Sequence, residues 1–268
     1  MPETVAPKTL RIHMPQWQGG NNPPYFLGAQ LLAWLAPPAT GPVETVTLAT
    51  PTSDALLIED GIVGRSALLA QLDSAKKCID RHQPDLIVVL GGDCLVDLAP
   101  FAYLNERYDG KLAVLWIDAH PDIMTPGDFK HAHAMVLRNL LGEGDPDFVR
   151  TVNCPLQPSQ VMFAGLMDTL AVESEFIART GLRHAGPAEL TNDSQPVLEW
   201  LKEIDAQHVA IHFLPTSRTR QRGLKKLASP YPTASAAARP STSRRFRGQG
   251  SAVRPATRTR ADDQRVET

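Results

Sequence analysis

Apolar residues recur in two rhythms along the first 213 positions. Short continuous runs alternate with stretches in which they return every three or four residues. The runs Leu10–Met14, Leu86–Leu90, Leu112–Ile117, Val161–Phe163 and Val209–Phe213 predict strands, as does the alternating Val43–Leu48. Leu86–Leu90 and Leu112–Ile117 read as strands buried on both faces. Helical spacing predicts helices over Leu27–Leu35, stopped by Pro37–Pro38, and over Ser66–His82, where Leu68, Leu69, Leu72, Ala75 and Ile79 share one face. Further helices are expected over Ala99–Tyr108, His133–Leu141, Leu170–Arg179 and Gln195–Asp205. Strands that alternate with helices in this way predict an α/β domain built on a mainly parallel sheet with helices on both sides.

The rhythm stops after Phe213. From Leu214 to Thr268 the strong apolar residues are Leu214, Leu224, Leu227, Phe246, Val253 and Val266, set among Arg, Ser, Thr, Pro and Ala. The formal charge of −2 hides a division at the same place. Residues 1–213 carry 14 basic and 26 acidic side chains, and residues 214–268 carry 13 and 3. The expected organisation is therefore a domain at 1–213 followed by a basic, low-complexity, disordered tail at 214–268. A basic tail raises the possibility of polyanion binding, but one tyrosine and one phenylalanine are few for stacking on bases, so nucleic acid is not the expected partner. No apolar run approaches the roughly 18 residues of a membrane span. Three scattered cysteines and no leader-like start point to a reducing, cytoplasmic setting.

Ligands of parallel sheets gather beyond the carboxyl ends of the strands, and two such ends carry chemistry. In Leu90-Gly91-Gly92-Asp93-Cys94 two glycines permit a tight turn, with Asp93 and Cys94 at its lip. In Trp116-Ile117-Asp118-Ala119-His120-Pro121-Asp122 three ionisable residues are spaced by two. An extended backbone would aim all three the same way. Two carboxylates and an imidazole suit a hard or borderline divalent ion such as Mn²⁺. The bland alternative is a hydrogen-bonded polar cap, which must then bear the cost of burying several ionisable groups without a metal. His131 and His133 follow close behind, and beside a metal one of them is a candidate proton shuttle. His13, His82, His184, His208 and His212 have no such context and read as structural.

Gly91-Gly92-Asp93-Cys94, Asp118-Ala119-His120-Pro121-Asp122 and His133-Ala134-Met135 together resemble the ureohydrolases: arginase, agmatinase and formiminoglutamase. The resemblance covers about residues 8–213. It implies a three-layer α/β/α fold, a binuclear manganese centre and hydrolysis of a carbon–nitrogen bond in a guanidino or amidino compound. By position it makes Asp118 the carboxylate shared by two ions, His120 a ligand of the second, Asp122 and Cys94 ligands of the first, and His133 the proton shuttle or substrate contact. Cys94 replaces a histidine, which brings Zn²⁺ into contention with Mn²⁺. The segment Ile123–Phe129 lacks the polar residues that hold the amino-acid end of arginine. The family also tends to oligomerise, so a homo-oligomer is implied.

The family continues past a strand like Val209–Phe213 with Asp-x-Asp-x-x-Asp-Pro and further strands and helices. Here the chain reads Leu214-Pro-Thr-Ser-Arg-Thr-Arg220. Pro215–Arg220 can be encoded CCG-ACG-TCC-CGG-ACC-CGN. Read from the last base of the first codon, that gives Asp-Val-Pro-Asp-Pro. The tail is thus compatible with an out-of-frame reading, which the nucleotide sequence around codon 213 tests directly. On this reading the sheet is incomplete at its C-terminal side, two metal-binding carboxylates are absent, and Val209–Phe213 lacks a neighbour and a covering helix on its far side. Hydrolysis would then be impaired, and a non-catalytic binding or regulatory protein is the alternative.

Overall fold

The computed structural model describes residues 6–167 and 169–214. The expected tail, and the proposed out-of-frame motif, lie outside the described residues apart from Leu214.

Strand β1 (Thr9–Met14) leads to helix α1 (Pro24–Leu35) and the short strand β2 (Val43–Thr45). A two-residue hairpin, β3 (Ile58–Glu59) and β4 (Ile62–Val63), turns at Asp60–Gly61 into α2 (Arg65–His82). Then come β5 (Leu86–Gly91), a 3₁₀ turn at Cys94–Asp97, α3 (Leu98–Arg107) and β6 (Leu112–Ile117). The next stretch holds a 3₁₀ turn at Ala132–Met135, α4 (Val136–Leu140) and α5 (Pro146–Val149). The remainder is β7 (Val161–Ala164), α6 (Ala171–Thr180), β8 (Arg183–Ala185), α7 (Pro187–Asn192), α8 (Gln195–Glu203) and β9 (His208–Phe213).

Apart from the hairpin, every strand pairing among the described residues is parallel. The strands form two sheets, ordered β2-β1-β5 and β8-β7-β6-β9. Strand β6 is the centre of the second. Its Leu112, Val114 and Trp116 enter the larger core with residues of α2 to α6, and its Ala113, Leu115 and Ile117 pack under Val197 and Trp200 of α8. That double burial explains why all six of its residues are apolar.

Strand β5 differs from its expectation. Ile87 and Val89 face the larger core, but Leu86 and Val88 are 50 % and 42 % exposed. An apolar run is necessary for burial on both faces, yet it does not supply the layer that covers the second face. Strand β9 shows the same asymmetry. Ala210 and His212 are buried, while Val209, Ile211 and Phe213 are open to solvent on the face that α8 covers over β6. Among the described residues β5 pairs only with β1 and β9 only with β6, so each has a free edge. Helix α1 likewise buries Ala29 and exposes Leu27, Leu31, Leu32, Trp34 and Leu35.

Candidate metal centre

The carboxyl ends of β5, β6 and β9 supply the polar cluster. Beyond β5 the chain must squeeze past the loop after β1. A Cβ on Gly92 would stand 2.0 Å from the Gln16 carbonyl oxygen, and one on Gly19 would stand 2.7 Å from the Asp93 carboxylate. Glycine at both places allows this approach. Asp93 then caps the 3₁₀ turn, accepting from the Leu95 amide at 3.0 Å and from the Gly20 amide at 3.3 Å. This fixes Cys94 in the buried interior.

Asp118 directly follows β6 and is fully buried. Its Oδ1 accepts from the His120 amide at 3.1 Å, and its Oδ2 lies 4.0 Å from the Cys94 Sγ. The chain does not stay extended beyond it. Asp122 has φ +50°, a left-handed conformation that breaks the two-residue period. Asp122 turns inward with Asp118, whereas His120, in the bend that follows β6, turns outward, its side chain 56 % exposed and its Nδ1 3.5 Å from Asp118 Oδ1.

A fourth group completes the cluster, and it is one that the sequence left as structural. His212 on β9 lies in register with Trp116 and stacks on its indole at a centroid distance of 3.8 Å. Its Nδ1 is 2.7 Å from Asp97 Oδ2, and its Nε2 is 3.5 Å from Asp118 Oδ2. One donor atom from each of Cys94, Asp118, Asp122 and His212 lies within 4.8 Å of the others, and all four residues are buried. The sequence signal was a polar residue inside an apolar strand, on the same face as buried Ala210. Its partner Asp97 is 115 residues away and left no local sign.

The electrostatics are those of a crowded anionic site. Burial would raise Asp118, but the His120 and His212 rings beside it outweigh that and hold it below the ordinary carboxylate range. Burial first, and then the Asp118 charge, push Asp122 up. Burial and the two carboxylates likewise push the Cys94 thiol up. His212 is opposed by burial, yet Asp118 and Asp97 raise it to about 9. Asp93 is raised to about 7 by burial. Among the described residues Asp122 Oδ2 and His212 Nε2 have no hydrogen-bond partner, although both residues are only 3 % exposed. Buried polar atoms without partners are costly. Two of them converging with a thiol and a second carboxylate fit the donor set of a divalent cation.

His133 stands apart at the 3₁₀ turn, half-buried. Its Nδ1 and the Gly19 carbonyl oxygen are 3.0 Å apart, and burial lowers its pKa. His131 edges onto the Phe129 ring. The structure thus brings together Cys94, Asp118 and Asp122 of the expected residues, adds His212, and leaves His120 at the mouth and His133 on the Gly19 loop.

A parallel α/β architecture with carboxylates gathered at its strand ends is the fold of the arginases. The arginase of Entamoeba histolytica superposes with a TM-score of 0.67 at 19 % identity, over 78 % of this chain and 76 % of that one. The arginase of Bacillus caldovelox gives 0.67 at 18 %, over 77 % and 75 %. The Arginase family model matches residues 57–217, and the chain belongs to that family of hydrolases. An arginase of Staphylococcus aureus is 30 % identical over 92 residues, 34 % of this chain and 30 % of that protein. The N(omega)-hydroxy-L-arginine amidinohydrolase of Streptomyces lavendulae is 30 % identical over 141 residues, 52 % and 48 %. The chain thus aligns with under a third of the staphylococcal arginase and about half of the amidinohydrolase. No helix among the described residues is long and apolar enough to cross a membrane.

Proposed function

We infer that this domain is built for metal-dependent hydrolysis of a non-peptide carbon–nitrogen bond in a small guanidino or amidino compound. The observation that supports it is the convergence of Cys94, Asp118 and Asp122 at the strand ends of an arginase-family domain. A bound divalent ion would supply Lewis-acid polarisation and a water of lowered pKa. Cys94, Asp118 and Asp122 are the residues that would hold a first ion. His120, exposed at the mouth and 3.5 Å from Asp118, would serve a second, with Asp118 shared as the family implies. Mn²⁺ follows from the family, and the thiolate of Cys94 draws the first position toward Zn²⁺.

His133 is the proton carrier in this reading. Its Nδ1 is engaged by Gly19, so Nε2 is the nitrogen left to take a proton. Burial keeps the ring neutral near pH 7, the state in which it can accept. The buried carboxylates cannot repel a cationic substrate headgroup, and Asp118 in particular stays ionised to attract one. A cytoplasmic, oligomeric enzyme is the setting that matches the family.

Turnover in this chain should be weak. The sequence after Phe213 offers Leu214-Pro215-Thr216 where the family has two further metal-binding carboxylates. That same departure favours the second reading, a ureohydrolase-like protein that binds without hydrolysing. Release of urea or ammonia from a panel of guanidino and amidino compounds, with Mn²⁺ or Zn²⁺ and with chelator, separates them. Metal-dependent release that Asp118→Asn abolishes supports the enzyme. A chain that binds metal yet releases nothing above the Asp118→Asn background supports the binding protein.

A further inference from the structure

The geometry assigns His212 as the fourth ligand of a single buried divalent-cation site made by Cys94 Sγ, Asp118, Asp122 and His212 Nε2, with Asp97 as the residue that positions the imidazole. This deepens the metal reading above and rests on it. It adds to the three ligands of the first ion a fourth, from a strand that the sequence left out of the site.

Four observations carry it. The first is distance. Ligand bonds of about 2.0–2.3 Å set the donor atoms of one tetrahedral ion about 3.3–3.8 Å apart, and the four donor atoms lie within 4.8 Å of one another. Closing by about 1–1.5 Å at most is within the reach of side-chain torsion. The second is lack of partners. Asp122 Oδ2 and His212 Nε2 are buried and without a hydrogen-bond partner among the described residues, and both residues belong to the one four-residue cluster.

The third is orientation. A ligating histidine ordinarily offers its other ring nitrogen to a carboxylate or carbonyl, which fixes tautomer and ring plane. Asp97 stands 2.7 Å from Nδ1, so the Nδ1 proton is the one retained and the Nε2 lone pair is the one presented. Trp116 stacked on the ring at 12° removes the remaining rotational freedom. The fourth is contrast. The His120 side chain is more than half exposed, lies outside the four-residue cluster, and has its Nδ1 turned to Asp118 Oδ1.

A nitrogen, a thiolate and two carboxylates in one four-membered set match tetrahedral Zn²⁺ better than Mn²⁺, which prefers more oxygen ligands and a higher coordination number. Binding involves no redox change. The thiol proton of Cys94 and any proton on His212 Nε2 or Asp122 pass to solvent as the ion enters.

The test uses the full chain stripped with chelator and then titrated with Zn²⁺, Mn²⁺ or Co²⁺. Equilibrium dialysis with elemental analysis gives stoichiometry and affinity, and circular dichroism checks folding. The expected result is one tightly held Zn²⁺ per chain, at least tenfold tighter than Mn²⁺. Co²⁺ should give a thiolate charge-transfer band together with the intense visible bands of a tetrahedral ion. His212→Ala should weaken Zn²⁺ at least 100-fold and weaken the visible Co²⁺ bands, while His120→Ala should change the affinity less than threefold. Asp97→Asn, which keeps the shape, should cost 10- to 100-fold, the usual size for an outer partner of a ligating histidine. It decides the matter if His212→Ala fails to fold. Unchanged Zn²⁺ affinity in His212→Ala, or in Asp97→Asn where the alanine variant is unfolded, overturns the assignment. Cys94→Ala tells the two levels apart. Loss there without loss in the His212 and Asp97 variants removes His212 and leaves the metal reading standing, and no loss in any of the three removes both.

Discussion

Replacing Asp93 by asparagine should flatten the dependence of stability on pH between about 4 and 7. Asp93 is buried under the Gly19–Gly20 loop, and its carboxyl is raised from the ordinary 3.8 to about 7 by burial, despite the amides that donate to it. A group whose pKa is higher in the folded chain binds its proton more tightly there. Its stabilising effect is therefore complete below the unfolded value and is lost as pH rises through the folded one. A rise of about 3 units corresponds to about 4 kcal/mol at 1.36 kcal/mol per unit. The slope within the window is at most about 1.4 kcal/mol per pH unit for one proton. Asparagine is neutral at every pH and still offers one oxygen to the Leu95 amide, so it stands in for the protonated acid. Urea unfolding of the metal-free chain at half-unit steps from pH 4 to 8 gives both curves. The difference between variant and parent should grow in the variant's favour by several kcal/mol across the window and level off above pH 7. Parallel curves would mean that Asp93 is ionised throughout and that the Leu95 and Gly20 amides outweigh its burial, which would refute the argument.

Three further outcomes follow from the same structure. Trp116→Ala should cost about 3–5 kcal/mol in unfolding experiments, since a fully buried indole leaves a cavity between Phe101 and His212. Ile211→Lys should alter stability by no more than about 0.5 kcal/mol while raising the concentration at which the chain aggregates in light scattering, because a 57 % exposed apolar residue on an edge strand invites pairing. Cys94→His, measured by metal competition, should shift preference from Zn²⁺ toward Mn²⁺, and an unchanged preference would show that Cys94 does not ligate.

How far the sequence could be read depended on how local each signal was. Strands β1, β6, β7 and β9 and helices α2, α3, α6 and α8 were all legible from apolar spacing, within a few residues at their ends. Strand β8 was not, because three residues with Arg183 and His184 exposed leave no periodic trace. The β3–β4 hairpin, two residues on each side, is too short for any period to register. The site followed the same rule. Cys94, Asp118 and Asp122 stand at strand ends, where a polar residue after an apolar run is conspicuous. The expectation that His120 would point with them assumed an extended backbone, and the chain instead bends over Asp118–His120, directly after β6. His212 enters through pairing with Trp116 and Asp97, both about a hundred residues earlier, and only the sheet register reveals such a contact.

The two sheets share no hydrogen bonds among the described residues, yet the cluster draws on both. Cys94 is delivered by the end of β5 in the first sheet, and Asp118 and His212 by β6 and β9 in the second. An ion held by these groups would therefore be a staple across the seam, doing for the folded chain what a disulfide does for a small secreted domain. Its contribution grows with occupancy, by about 2.7 kcal/mol at a hundredfold excess over the dissociation constant. Without it the two sheets are joined through the core they share, where β1 and β6 side chains meet those of α2 to α6, and the edges of β5 and β9, free among the described residues, are where the molecule would begin to come apart. With it the seam gains a second tie beside that core, so the midpoint of the unfolding transition becomes a measure of metal loading.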